Sequence, residues 1–167
     1  MLCLPAGKLT YSLLREACLV GRDWPSDIAL SINVSAKHFS DPLLPVKFLA
    51  ILSETGYPPT RLEVEITESA LLTDPANARA VLSALQGLGI QISLDDFGTG
   101  YSNLYHLREL RFDKVKIDRS FVTTMDSDSE RAKIVRSVIG LARNLGLPTV
   151  AEGIEQREAR SLGRGRR

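Results

Sequence analysis

Five short runs in this chain alternate apolar residues with polar or small ones, and polar groups crowd toward the C-terminal ends of those runs. From Ile28 to Ser35, Ile28, Leu30, Ile32 and Val34 alternate with Ala29, Ser31, Asn33 and Ser35. From Leu62 to Thr67, Leu62, Val64 and Ile66 alternate with Glu63, Glu65 and Thr67. Ile90, Ile92 and Leu94 alternate with Gln91, Ser93 and Asp95 before the chain enters Asp96-Phe97-Gly98-Thr99-Gly100. Val115 and Ile117 alternate with Lys116 and Asp118, and the less regular run Thr149 to Glu152 also ends in an acid. A period of two is the signature of a strand, here with one apolar face for covering helices and one small or polar face for an interior.

The segments between these strands carry helical periodicity and helix stop signals. An initial helix is expected over roughly Tyr11 to Val20. Val46 to Thr55 presents Phe48, Leu49 and Leu52 and closes at Gly56, with Pro58 and Pro59 preventing continuation. Ala78 to Gln86 presents Val81, Leu82 and Leu85 and closes at Gly87 or Gly89; Glu130 to Leu145 presents Ile134, Val138 and Leu141 and closes at Gly146. A shorter helix is expected from Asn103 to Leu110. Alternation of strand and helix predicts an α/β fold with a parallel sheet, in which catalytic and binding groups collect at the C-terminal strand ends. A closed eight-stranded β/α barrel takes ~250 residues. With 167 residues and about five strands, a partial barrel is the expectation.

Net charge is +1, with 25% charged residues, so no bulk attraction to duplex nucleic acid or to a membrane surface is implied. No apolar run approaches the ~18 residues that span a bilayer, and Met1 to Gly7 lacks the features of a signal peptide. A cytoplasmic location is the default expectation. Cys3 and Cys18 have no metal-ligand spacing and are read as buried or incidental thiols.

The polar groups at the strand ends are Asn33, Glu65, Glu68, Asp95, Asp96, Lys116, Asp118, Glu152 and Glu155. Carboxylates gathered this closely must be protonated, paired with cations or used to hold metal. Lys116 is the one nearby fixed cation, so the excess negative charge predicts a bound metal. Every candidate ligand is an oxygen donor, which favours Mg²⁺ or Mn²⁺ over zinc. A pair of such ions is suited to phosphodiester cleavage by in-line displacement.

Simpler readings compete at several positions. Asp95-Asp96 before Gly98 can be a turn with solvated acids. The Gly98-Thr99-Gly100 loop lacks the third glycine of a dinucleotide fingerprint, and Asp96-Phe97-Gly98 has no accompanying kinase motifs. Lys116 can serve as a structural counter-ion for Asp118, Glu63 as a rim or pairing group, and Asn33 as a satisfied polar group. His38 and His106 read as surface or helix-edge residues, and Trp24 as packing at a helix-strand junction.

Taken in order, five motifs resemble those of the EAL domain family: Ser31-Ile32-Asn33-Val34-Ser35, Glu63-Val64-Glu65-Ile66-Thr67-Glu68-Ser69, Asp95 to Ser102, Lys116-Ile117-Asp118 and Ala151-Glu152-Gly153-Ile154-Glu155. The resemblance spans Leu9 to Glu155 and implies a TIM-type barrel that linearises cyclic di-GMP in bacterial signalling. It implies metal ligation by Asn33, Glu65 and Asp95, with Asp95 bridging two Mg²⁺ or Mn²⁺ ions and Asp96 serving the second. Lys116 matches the lysine that orients the attacking water or stabilises phosphate charge. Glu152 matches a metal-site or base glutamate, and Glu155 a further acid close to it. Glu68 matches the acid that anchors the glycine loop after Asp96.

Two departures qualify the resemblance. The Glu-Ala-Leu motif, whose Glu is a metal ligand in the family, does not occur; Glu16-Ala17-Cys18 lies within the initial helix. After Glu155 the pattern gives way to an Arg/Gly-rich run ending Arg164-Gly165-Arg166-Arg167. The expectation is a 1–8 extension, a partial domain over 9–156 that lacks the family's first two strands and its last, and a 157–167 tail. The implied activity is a metal-dependent phosphodiesterase acting on cyclic di-GMP, impaired in this chain. The alternatives are an inactive module that binds cyclic di-GMP or a protein, and a gene fragment without function. Open sheet edges predict a homo-oligomer or strand-exchanged dimer.

Overall fold

The computed structural model describes residues 6–72, 74–97, 110–123 and 129–153. The expected helix from Asn103, the glycine loop after Phe97, Glu155 and the Arg-rich tail lie outside the described residues, as do Cys3 and His106. Among the described residues there are five parallel strands, β1 (Leu30–Asn33), β2 (Leu62–Thr67), β3 (Gln91–Phe97), β4 (Lys114–Ile117) and β5 (Thr149–Ala151). They form one sheet in the order β1-β2-β3-β4-β5. The described helices are α1 (Ala6–Gly21), α2 (Ala36–Phe39), α3 (Leu44–Thr55), α4 (Glu68–Leu72), α5 (Pro75–Gly87), α6 (Arg119–Thr123) and α7 (Ser129–Asn144). The α/β class and the five-strand count agree with the expectation from sequence.

By packing, the chain divides into two compact units, Met1–Ser93 and Leu94–Arg167. In the first, β1 and β2 pair in parallel with Leu30 opposite Leu62, Ser31 opposite Glu63, Ile32 opposite Val64 and Asn33 opposite Glu65. Phe39, Phe48, Leu52, Val64, Ile66, Val81 and Leu85 are buried. Helix α3 stops as expected because Gly56 takes φ 69°, a left-handed conformation open to glycine. Helix α5 starts earlier than expected: Asp74 accepts a hydrogen bond from Asn77 N at 3.0 Å, and Pro75 opens the first turn. Arg61 donates to three carbonyls, Ile28 at 2.9 Å, Pro25 at 3.0 Å and Gly21 at 3.1 Å, tying the turn between α1 and β1 to the start of β2.

In the second unit, β4 and β5 pair in parallel with Lys116 opposite Val150 and Ile117 opposite Ala151. Ile117, Val122 and Val135 form its buried cluster, with Phe121, Val138, Ile139 and Ala151 packed around it.

Several expectations are corrected. Strand β1 begins at Leu30, leaving Ile28 exposed, and Trp24 is 40% exposed instead of packed at a junction. Leu49 and Ile134, expected on packed helix faces, are 42% and 45% exposed. The helices α2, α4 and α6 were not anticipated. Cys18 is buried, as expected, and its thiol pKa is raised by burial.

Candidate functional site

In the first unit Asn33 and Glu65 sit at the end of the β1-β2 pair, Glu63 lies two residues before Glu65, and Glu68 follows β2. Asn33 is exposed, while Glu63, Glu65 and Glu68 are each only 8% exposed. Glu65 lies opposite Asn33 and accepts a hydrogen bond from Ser31 Oγ at 2.5 Å. Its backbone carbonyl accepts from Val34 N at 2.9 Å, so β1 is held to β2 up to the point where the motif residues emerge. Burying a carboxylate is costly unless donors replace lost water, and the Ser31 hydroxyl is one such donor. Glu68 opens α4, at the end of a helix where a negative charge is favoured. The glycine loop that Glu68 is expected to anchor lies outside the described residues.

In the second unit five of the expected residues come together. Lys116 Nζ lies 2.6 Å from Glu152 Oε1 and 3.7 Å from Asp95 Oδ1. The side chains of Lys116 and Asp95 are 12% and 13% exposed, and that of Glu152 is 37% exposed. An ammonium with little access to water is thus balanced by carboxylates from the ends of two other strands. Glu152 N also donates to Ile117 O at 3.2 Å, which carries the β4-β5 pairing one residue beyond the strand.

Asp96 follows Asp95 with φ 56°, the one left-handed non-glycine residue among those described, and its N–H donates to Asp95 Oδ1 at 3.0 Å. That conformation is tolerated by Asp more readily than by most residues, since its short polar side chain bonds locally. Burial pushes the Asp96 carboxyl above the ordinary carboxylate range, reinforced by the charges of Asp95, Asp118 and Glu152 and by a hydrogen bond with Asp118. Asp118 shifts the other way, held down chiefly by the Ser120 hydroxyl and by Ser120 N at 2.9 Å. Across the hydrogen bond between them, Asp96 is therefore the more readily protonated carboxyl and Asp118 the better acceptor.

Every candidate ligand bears oxygen, which suits a hard divalent cation in kind. In arrangement the fit is not made: among the described residues no three His, Cys, Asp or Glu side chains are grouped to hold a metal ion. In the second unit Lys116 engages two of the expected donors instead. Ser31 and Ser120 are contributors that the sequence reading passed over. Ser31 shares a strand face with Asn33, and Asp118-Arg119-Ser120 has the spacing at which an aspartate bonds the backbone two residues on.

The sequence matches the EAL domain family over residues 3–163. It is 37% identical over 147 residues to MucR of Pseudomonas aeruginosa, a bifunctional diguanylate cyclase/cyclic di-GMP phosphodiesterase; the match covers 86% of this chain and 22% of MucR. Its fold superposes on that of the PaMucR phosphodiesterase in complex with c-di-GMP with a TM-score of 0.89 at 34% identity, covering 93% of this chain and 65% of that one. BlrP1 of Klebsiella pneumoniae, in a complex with calcium and cyclic di-GMP, gives a TM-score of 0.84 at 28% identity over 96% of this chain and 42% of that one. The chain belongs to the EAL domain family. It spans about a fifth of the length of the curated relatives it matches, 18% of the first two and 20% of the third. No described helix is long and apolar enough to cross a membrane.

Proposed function

We propose that this chain supplies phosphate-handling groups of an EAL-type phosphodiesterase that hydrolyses cyclic di-GMP to its linear dinucleotide. The observation that carries the reading is the Lys116 ammonium held against Glu152 at 2.6 Å and near Asp95 at 3.7 Å, at the C-terminal ends of β3, β4 and β5. A desolvated cation fixed between carboxylates is pre-organised for an anionic phosphodiester, because its charge needs no reorganisation when negative charge grows on phosphoryl oxygen. Hydrolysis adds a water oxygen to phosphorus and breaks one phosphorus-oxygen ester bond. Lys116 stabilises the charge that develops or orients the water, and Glu152 accepts the proton that the water loses. The displaced ester oxygen takes a proton from Glu152 or solvent and leaves as the hydroxyl of the linear dinucleotide.

Mg²⁺ or Mn²⁺ is the cofactor of this reading; Asn33 and Glu65 in the first unit and Asp95, Asp96 and Glu152 in the second are the oxygen-bearing residues that would hold it, and when bound it would supply charge neutralisation and a more acidic water. By the family resemblance Glu68 is the loop-anchoring acid of this reading, and Asp118 and Glu155 are its further acids. Self-association belongs to the same reading: β1 pairs with β2 alone and β5 with β4 alone among the described strands, and strand edges of this kind pair readily with another chain.

The test is production of the linear dinucleotide by the purified chain with Mn²⁺. Turnover is expected to be slow, since the sequence has no Glu-Ala-Leu motif. Lys116→Ala is expected to lower it by on the order of 10² to 10³-fold, as for loss of one electrostatic contact in an active site. Binding of cyclic di-GMP without any metal-dependent product from the wild type would replace this reading with a binding module.

A further inference from the structure

We infer that Arg119 is a positioning residue, whose aliphatic stem packs on Gly153 and so sets Glu152 against Lys116. The inference rests on the phosphodiesterase reading for the consequence of that placement, though the contact itself does not.

Gly153 has φ 70°, a conformation that side chains other than glycine's rarely adopt, and it directly follows Glu152. A methyl added at Gly153 would lie 3.0 Å from Arg119 Cδ, 3.2 Å from Arg119 Cβ and closer still to Cγ. The Arg119 stem therefore fills the space that any other residue at 153 would need. Glu152 is bracketed as a result. On one side its N–H is tied to Ile117 O at 3.2 Å, and on the other its successor lies under the Arg119 stem.

Arg119 is itself well seated. It opens α6, and Asp118 accepts hydrogen bonds from both the backbone and the hydroxyl of Ser120, which fixes that first turn. Val122 of the same helix is buried with Ile117 and Val135. The Glu152 side chain is 37% exposed, with rotamers open to it, so backbone placement decides whether its carboxylate meets the Lys116 ammonium. Because Arg119 is an exposed residue, the competing role is a direct guanidinium contact with substrate phosphate.

Two variants separate these roles. Arg119→Met keeps an unbranched stem and removes the charge, whereas Arg119→Ala removes both. With cyclic di-GMP and Mn²⁺, Arg119→Ala is expected to lower kcat by on the order of 10-fold at unchanged KM, the usual scale for losing a group that orients a site residue. Arg119→Met is expected to restore the wild-type value. A second readout needs no turnover: in the purified chain Lys116 should be acylated faster by acetic anhydride in Arg119→Ala than in the wild type or Arg119→Met, as followed by mass spectrometry. Equal changes in the two variants, or no change of Lys116 labelling in Arg119→Ala, would overturn the positioning role. A wild type without turnover but with the expected labelling pattern would remove the phosphodiesterase reading and leave the positioning role standing.

Discussion

The two units of the chain handle acidic residues in contrasting ways. In the first, Glu63, Glu65 and Glu68 are nearly closed off from solvent in a packed region, and Glu65 takes a short hydrogen bond from Ser31. In the second, Asp95, Asp96, Asp118 and Glu152 stay partly open and are organised by one lysine, a serine and the hydrogen bond between Asp96 and Asp118. Strand β2 is covered on both faces and can bury its alternating polar residues, whereas β5 is only partly buried along its length. Packing therefore governs the acids of the first unit, and mutual electrostatics governs those of the second.

Core truncation should break this contrast most visibly. Phe48→Ala removes a fully buried ring from the first unit and is expected to cost about 3 to 5 kcal/mol. Val135→Ala in the smaller cluster of the second unit should cost less, roughly 0.5 to 3 kcal/mol. Urea unfolding followed by circular dichroism measures both, and equal losses would erase the difference in packing.

A smaller effect is expected from Ser31→Ala, which deprives the buried Glu65 carboxylate of a donor. A hydrogen bond to a charged group contributes about 1.5 to 3 kcal/mol, so a loss within that range should appear in the same unfolding experiment. A wild-type midpoint would mean that the remaining contacts of Glu65 suffice.

The second unit should respond to pH instead, most clearly in metal-free protein held in chelator. For Asp96 the folded-state pKa lies above the ordinary value, so between the two the folded chain keeps a proton that the unfolded chain has released. Stability falls as pH rises through that window. Asp118 lies below its ordinary value and contributes stability above it, lost as pH falls through the lowered value. Asp96→Asn keeps a donor for Asp118 while removing the penalty, so it should match the wild type at the acid end and exceed it at neutral pH. Asp118→Asn should do the reverse at neutral pH. Thermal melting of the three proteins between acid and neutral pH checks both, and parallel curves would mean that the Asp96 and Asp118 carboxyls are not shifted apart by the fold.

Much of the fold was legible because strand alternation and glycine stops are local signals. The run Leu62 to Thr67 became β2 residue for residue, and Gly56 ends α3 where it was expected to. Helix phase was harder to read. Phe48 and Leu49 are adjacent and both apolar, as are Ile134 and Val135, so periodicity alone admits two neighbouring faces. Packing selected Phe48 and Val135 and left Leu49 and Ile134 in solvent. Helices of four or five residues, such as α2, α4 and α6, are too short to display a period at all. At the site, the motif residues could be named from their order along the chain, while the grip of Lys116 on Glu152 joins two strands distant in sequence. The Arg119 stem over Gly153 depends on a backbone angle, which no residue pattern prints.

The central proposal is that the Asp95, Lys116 and Glu152 grouping belongs to a phosphodiesterase site whose carboxylates gather on a divalent cation when one is supplied. Calorimetric titration of the purified chain with Mn²⁺ tests it most directly. Weak saturable binding that Asp95→Asn abolishes is the predicted result, and identical isotherms for the two proteins would contradict it.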